Sequence, residues 1–151
     1  MIRTDKRLRL CTALLICNLI FIWGNSLLPG EVSGAFSDWV KSILALLFDS
    51  DPNGPSGGGL LRKIAHFTEF SALGALLCWR FGMLGKGKFP AFACGAAAAC
   101  MDETIQIFVP ERGPGILDVL LDCSGVLTGM LLMHLGHTYC KKKSLNHYSE
   151  E

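Results

Sequence analysis

Residues 10–28 contain no Asp, Glu, Lys or Arg. At 1.5 Å rise per residue, a helix of that length covers roughly the ~30 Å hydrocarbon core of a bilayer. Backbone N–H and C=O groups find no water there, so a segment that crosses must be helical or part of a closed barrel. The basic residues Arg3, Lys6, Arg7 and Arg9 just ahead of the run also suit a signal peptide, but the run is long and no Ala-x-Ala cleavage site follows it. The rest of the chain repeats the theme. With 50% hydrophobic and 18% charged residues and a mean hydropathy of +0.39, it is too apolar for an average soluble domain. The expectation is a small integral membrane protein forming a single domain over residues 1–151.

The expected fold class is all-α and polytopic. Four transmembrane helices are predicted at about 10–28, 61–80, 89–109 and 115–139. Between the first two, residues 36–48 place Trp39, Val40, Ile43, Leu44 and Leu47 at helical spacing against Asp38, Lys41 and Ser42. Thirteen residues cannot span, so this segment reads as a short interfacial or re-entrant helix. Residues 51–59, with two Pro and four Gly, form a flexible link to the second span.

Basic residues set the orientation. With the N-terminus inside, Arg3, Lys6, Arg7, Arg9, Arg80, Lys86, Lys88, Lys141, Lys142 and Lys143 are cytoplasmic, ten against the four of the other side. Both termini are therefore expected in the cytoplasm. Trp23 and Trp39 then fall at the outer interface and Trp79 and Tyr139 at the inner one, as in an aromatic belt. A net charge of +1 and the absence of a recognisable nucleic-acid motif argue against a nucleic-acid partner. The seven cysteines are odd in number, mostly lie within apolar runs and lack metal-site spacing, so they read as small buried hydrophobes rather than a disulfide framework.

Polar residues interrupt three of the spans, always toward one end. Counted from the outer boundary, His66 lies ~6 Å and Glu69 ~10 Å deep, Gln106 ~6 Å, Glu103 ~10 Å and Asp102 ~12 Å, and Asp118 ~6 Å and Asp122 ~12 Å. Phase agrees with depth. Arg62, His66 and Glu69 follow i, i+4, i+7; Asp102 pairs with Gln106 at i+4; Asp118 and Asp122 share a stripe with Gly125 and Gly129. A carboxylate facing lipid at this depth would cost on the order of 1–3 kcal/mol, so these acids must face inward, pair, hold protons or bind a cation. The short turn through Pro110 makes the third and fourth helices antiparallel neighbours with Arg112 over the mouth. Gly74, Gly95 with Ala99, and Gly125 with Gly129 supply small-residue faces for close helix approach. The candidate site is thus an outer polar pocket of Arg62, Lys63, His66, Glu69, Asp102, Glu103, Gln106, Arg112, Asp118 and Asp122. His134 and His137, one turn from the cytoplasmic end, read as interface residues, and Lys141 to Lys143 as a topology and anionic-lipid signal.

At these residues the chain resembles the VanZ-like family of bacterial membrane proteins. The stretch Arg62-Lys63-Ile64-Ala65-His66-Phe67-Thr68-Glu69-Phe70 carries part of the likeness. The run Asp102-Glu103-Thr104-Ile105-Gln106, followed by Pro110, Arg112, Asp118, Gly125 and Gly129, is the more specific part. The chain departs from the pattern at Phe70, where Tyr is usual, at Glu111, where Gly is usual, and at Asp122, where Asn is preferred. The resemblance implies a multi-pass protein of the bacterial cytoplasmic membrane, from a family named for low-level resistance to the glycopeptide teicoplanin and without an established catalytic activity. It also fits a Gram-positive envelope.

Two functions fit these residues. In the first, a non-enzymatic envelope protein binds a membrane lipid head group or a lipid-linked cell-wall precursor; Arg62, Lys63 and Arg112 engage phosphate or carboxylate, with Gln106 and His66 as neutral partners. The acid surplus opposes a bare anion site unless a cation bridges. In the second, a membrane-embedded, metal-dependent enzyme acts on such a lipid: His66 and Glu69 form an acid/base pair, and Glu69, Asp102, Glu103 and Asp122 hold a divalent cation. No nucleophile motif, P-loop or HExxH supports the enzyme. A proton or ion pathway is disfavoured, because the helices turn apolar beyond Asp122.

Overall fold

The computed structural model describes residues 2–29, 57–110, 112–113 and 115–148. Among them there are four helices and no strand: α1 (Ile2–Ser26), α2 (Gly57–Met83), α3 (Lys88–Gln106) and α4 (Ile116–Tyr148). The interfacial helix expected over 36–48 lies outside the described residues.

The boundaries differ from expectation where local chemistry is decisive. Helix α1 begins at Ile2 and takes in the basic stretch ahead of the apolar run. Helix α4 continues to Tyr148 because no Pro or Gly follows Gly136 and the lysines are good helix formers. Helix α3 stops at Gln106, short of 109. Pro110 disfavours the α conformation in the residue before it, and the chain tightens into i→i−3 bonds, Phe108 N–H to Ile105 O and Val109 N–H to Gln106 O. Between α2 and α3, Gly85 takes φ +66°, so that its N–H reaches Gly82 O and Lys86 N–H reaches Phe81 O at 2.9 Å, a Schellman cap.

Helix α2 lies at the centre and touches the other three, and its contact with α4 is the most extensive in the bundle. The two run parallel. Gly125 of α4 meets Phe67 of α2, where an added Cβ would stand 2.7 Å from the Phe67 carbonyl oxygen, and one turn on Gly129 lies against the backbone of Ser71. Gly74 of α2 returns the contact against the backbone of Val126, whose side chain also fills the space left by Gly95 of α3. Backbones can approach this closely only where side chains are absent. Around the crossing sit Phe70, Leu73, Ala91, Ala98, Ala99 and Val126, with Cys11 and Ile22 from α1.

The distribution of polarity is inverted relative to a soluble bundle. Asp102, Glu103, Gln106, Arg112, Asp122 and Ser26 are buried, whereas Phe108 (81% exposed), Ile116 (82%), Leu117, Leu131 and Tyr139 face outward. Two helices, over Asp5–Ser26 and Ile116–Lys143, are long and apolar enough to cross a membrane. Helices α2 and α3 are not among them. All seven cysteines are free thiols. The expectation that they are buried needs correction: Cys11 is buried, but Cys17, Cys94, Cys100 and Cys140 lie on outer faces. An apolar run marks a residue for an apolar surrounding, and in an inverted bundle the outer faces are themselves apolar.

The α2–α4 crossing makes a direct prediction. Gly129→Leu should cost about 2 kcal/mol or more by overpacking against the Ser71 backbone. Gly136→Leu, placed in open space, should not destabilise the protein to chemical unfolding in micelles and should gain up to about 1 kcal/mol from helix propensity. Equal effects would mean that the two helices do not meet at the glycines.

Candidate functional site

The site grows from helical periodicity and the glycine contact together. Spacing puts Arg62, His66 and Glu69 on one face of α2, Asp102 and Gln106 on one face of α3, and Asp118 and Asp122 on one face of α4. Close approach of α2 and α4 then brings these faces into register near one end of the bundle. Asp102 is fully buried and Asp122 is 2% exposed. His66 Nδ1 stands 3.9 Å from Asp102 Oδ2, across from α2 to α3, an ion pair whenever the imidazole is protonated. Gln106 Nε2 donates to Asp102 Oδ2 at 2.8 Å and makes a longer contact, 3.5 Å, with Ser26 Oγ. His66, Asp102 and Asp122 each present a nitrogen or oxygen ligand atom within 4.8 Å of the other two.

The remaining acids are engaged differently. Glu69 Oε1 accepts from Asn25 Nδ2 of α1 at 2.9 Å, and Glu103 Oε2 accepts the backbone N–H of Gly115 at 2.9 Å, tying α3 to the start of α4. The expected grouping of Glu69, Asp102, Glu103 and Asp122 as ligands is therefore not the one the structure forms. Among the described residues no hydrogen bond joins His66 to Glu69 as an acid/base pair; His66 turns to Asp102 instead. Lys63 Nζ lies 3.7 Å from Asp118 Oδ1 at the partly exposed edge of the cluster.

Arg112 also differs from expectation. Rather than standing over an open mouth, it is 8% exposed, and its Nη2 donates to Asn25 O at 3.0 Å. Burial and the nearby Arg62 guanidinium pull its pKa below the ordinary arginine value, opposed by Asp102, Glu103 and Glu69. Asn25 thus receives from Arg112 at its carbonyl and donates to Glu69 from its side chain, and with Ser26 it brings α1 into the site. The sequence reading missed both residues. Their signal was available: they form a polar Asn-Ser pair at the outer end of an otherwise apolar run, at the depth of the other polar residues.

A small cavity of about 10 Å³ lies between Arg62, Lys63, His66, Glu103, Asp118 and Asp122. That is room for about one water or ion. Several buried atoms of the cluster have no hydrogen-bond partner among the described residues: His66 Nδ1, which borders this cavity, Glu69 Oε2, Asp102 Oδ1, and Nε and Nη1 of Arg112. A much larger cleft, about 640 Å³, is at the opposite end of the bundle, bordered by Arg7, Trp79, Lys86, Lys88, His134 and His137. It is the larger space, but the buried ionisable groups are not in it.

The model of one protein family, VanZ/LLP1, matches residues 11–137, most of the chain. The chain belongs to the VanZ/LLP1 family. No curated protein and no solved structure matches it. Within the matched span, Arg62, His66, Glu69, Asp102, Gln106, Arg112 and Asp118, the residues that carry the VanZ resemblance, are also those that the fold gathers at one end. Gly125 and Gly129 of the same pattern are the positions where α4 lies against α2. Phe70, one of the departures, is fully buried, and Asp122, another, adds an acid to the cluster.

The Asn25 link between α1 and the site predicts a coupled energy. Asn25→Ala leaves Glu69 buried without its donor and should lower stability by about 1–3 kcal/mol in chemical unfolding. In a Glu69→Leu background the same substitution should cost much less. Additive costs would show that the bond does not hold α1 to the site.

Proposed function

We propose that this VanZ/LLP1 family member is a multi-pass protein of the bacterial cytoplasmic membrane whose polar cluster faces the outer leaflet. There it engages the anionic head group of a membrane lipid or lipid-linked cell-wall precursor, and so alters glycopeptide access to the wall, teicoplanin being the drug the family resemblance implies. In this reading all four helices cross the membrane and both termini are cytoplasmic. The inverted polarity supports it: large apolar side chains face outward along the bundle, while Asp102, Glu103, Gln106 and Asp122 are buried inside it. The ten-to-four bias of basic residues supports the orientation.

The observation that carries the head-group reading is the arrangement of Arg62 and Lys63 around a cavity with room for one ion or water. Lys63 is exposed and Arg62 half-buried at the edge of the cluster. A space that small cannot enclose a head group. The anionic group is instead met at the rim, where a charge-assisted contact contributes about 1.5–3 kcal/mol. Arg112, already buried and bonded to Asn25, acts as a brace rather than a contact. A second reading, a membrane-embedded enzyme acting on a lipid-linked intermediate, is favoured by one feature, the approach of His66 to Asp102 between two helices.

Native mass spectrometry of the purified protein tests the head-group reading. An anionic lipid should copurify with the wild type and be lost from Arg62→Ala/Lys63→Ala at equal expression. Equal retention of the same lipids by both proteins would exclude the rim as the binding surface.

A further inference from the structure

We propose that His66, Asp102 and Asp122 bind one divalent transition-metal cation between α2, α3 and α4. The site lies within the cluster of the head-group reading, but neither requires the other: a cation can be held with no head group at the rim, and a head group can be bound with no cation below it.

Four observations converge. The three side chains come from three different helices and bring one nitrogen and two carboxylate oxygens within 4.8 Å of one another. Ion–ligand distances of ~2.0–2.2 Å place ligand atoms ~3–4 Å apart, so a modest closure of the three rotamers completes the site. Asp102 is fully buried, yet its Oδ1 has no hydrogen-bond partner among the described residues, and His66 Nδ1 has none either. Buried polar atoms are ordinarily satisfied, so these orphans call for a ligand. The adjoining cavity of about 10 Å³, bordered by His66 and Asp122, has the size of a single water or ion.

The fourth observation is charge. The cluster contains the carboxylates Glu69, Asp102, Glu103, Asp118 and Asp122 against the cations Arg62, Lys63 and Arg112. With all of them ionised, two negative charges are left over, and one divalent ion cancels both. The ligand chemistry narrows the choice. Magnesium and calcium take oxygen ligands almost alone, whereas one imidazole with two carboxylates suits zinc or manganese. Three protein ligands leave a position open toward the cavity, the arrangement of a site that also holds water or an anion. Such an ion removes the difficulty that surplus acid poses for anion binding at the rim formed by Arg62 and Lys63.

The competing explanation is a purely structural cluster in which His66 is paired with Asp102 and Asp122 holds a proton. Titration with cobalt and zinc ions separates the two. The full chain, purified in detergent and stripped with EDTA, carries His134→Ala and His137→Ala to remove the histidines of the opposite cleft. Cobalt should then give a visible d–d spectrum without thiolate charge-transfer bands, saturating at one ion per chain and displaced by zinc, and zinc should raise the melting temperature. Asp122→Asn and His66→Ala should each weaken binding by about 100-fold or more. A protein with neither a cobalt spectrum nor a zinc-dependent rise in melting temperature would overturn the proposal. So would binding that both substitutions leave unchanged, or a spectrum dominated by thiolate bands. The titration of the protein with intact ligands decides the matter even where a variant fails to fold. It contains no lipid ligand, so its failure would leave the head-group reading standing.

Discussion

The contact between α2 and α4 fixes the rest of the bundle. Gly125 and Gly129 lie against the backbone of Phe67 and Ser71, and Gly74 against that of Val126. At that separation the residues just before the contact, His66 ahead of Phe67 on one helix and Asp122 ahead of Gly125 on the other, are held near each other, and α3 closes the third side with Asp102. A methyl group at Gly129 would push the helices apart and open the ring of side chains. Packing and site are therefore one feature: the small residues that let backbones touch also bring the acids together.

The inverted surface follows from the same arrangement. In water, a bundle with Asp102 and Asp122 inside and Phe108, Ile116 and Leu131 outside would expose apolar area and bury charge, unfavourable on both counts. In hydrocarbon both placements become favourable, because outward faces lose nothing to lipid and inward acids escape it. The buried groups are then left with one another and with whatever small ligand they enclose. The atoms of His66, Asp102 and Arg112 that lack a hydrogen-bond partner among the described residues are where the proposed ligand would act.

Much of this was legible in the sequence, for a definite reason. Apolar run length gave four helices, and i, i+4 spacing gave the face on which each polar residue lies, since both are properties of a single helix. Rotation of one helix against another is not. Spacing placed His66 and Glu69 on one face of α2, but the structure aims His66 at Asp102 and gives Glu69 to Asn25. The contribution of Asn25 and Ser26 was missed because α1 reads as uniformly apolar, and two small polar residues at its end look like a terminus rather than a partner. Arg112 was misplaced because a loop arginine is ordinarily solvated; here the acids below it and the Asn25 carbonyl draw it inside.

In the proposed membrane arrangement, α2, α3 and α4 meet at their polar faces. Cysteines at positions 66 and 122, in a chain freed of its native cysteines, test it most directly. In native membranes the pair should be joined by a short bifunctional thiol reagent, while neither position reacts with a lipid-dissolved maleimide. Efficient labelling from the lipid phase, with no cross-link between the two, would place these faces against lipid and not against each other.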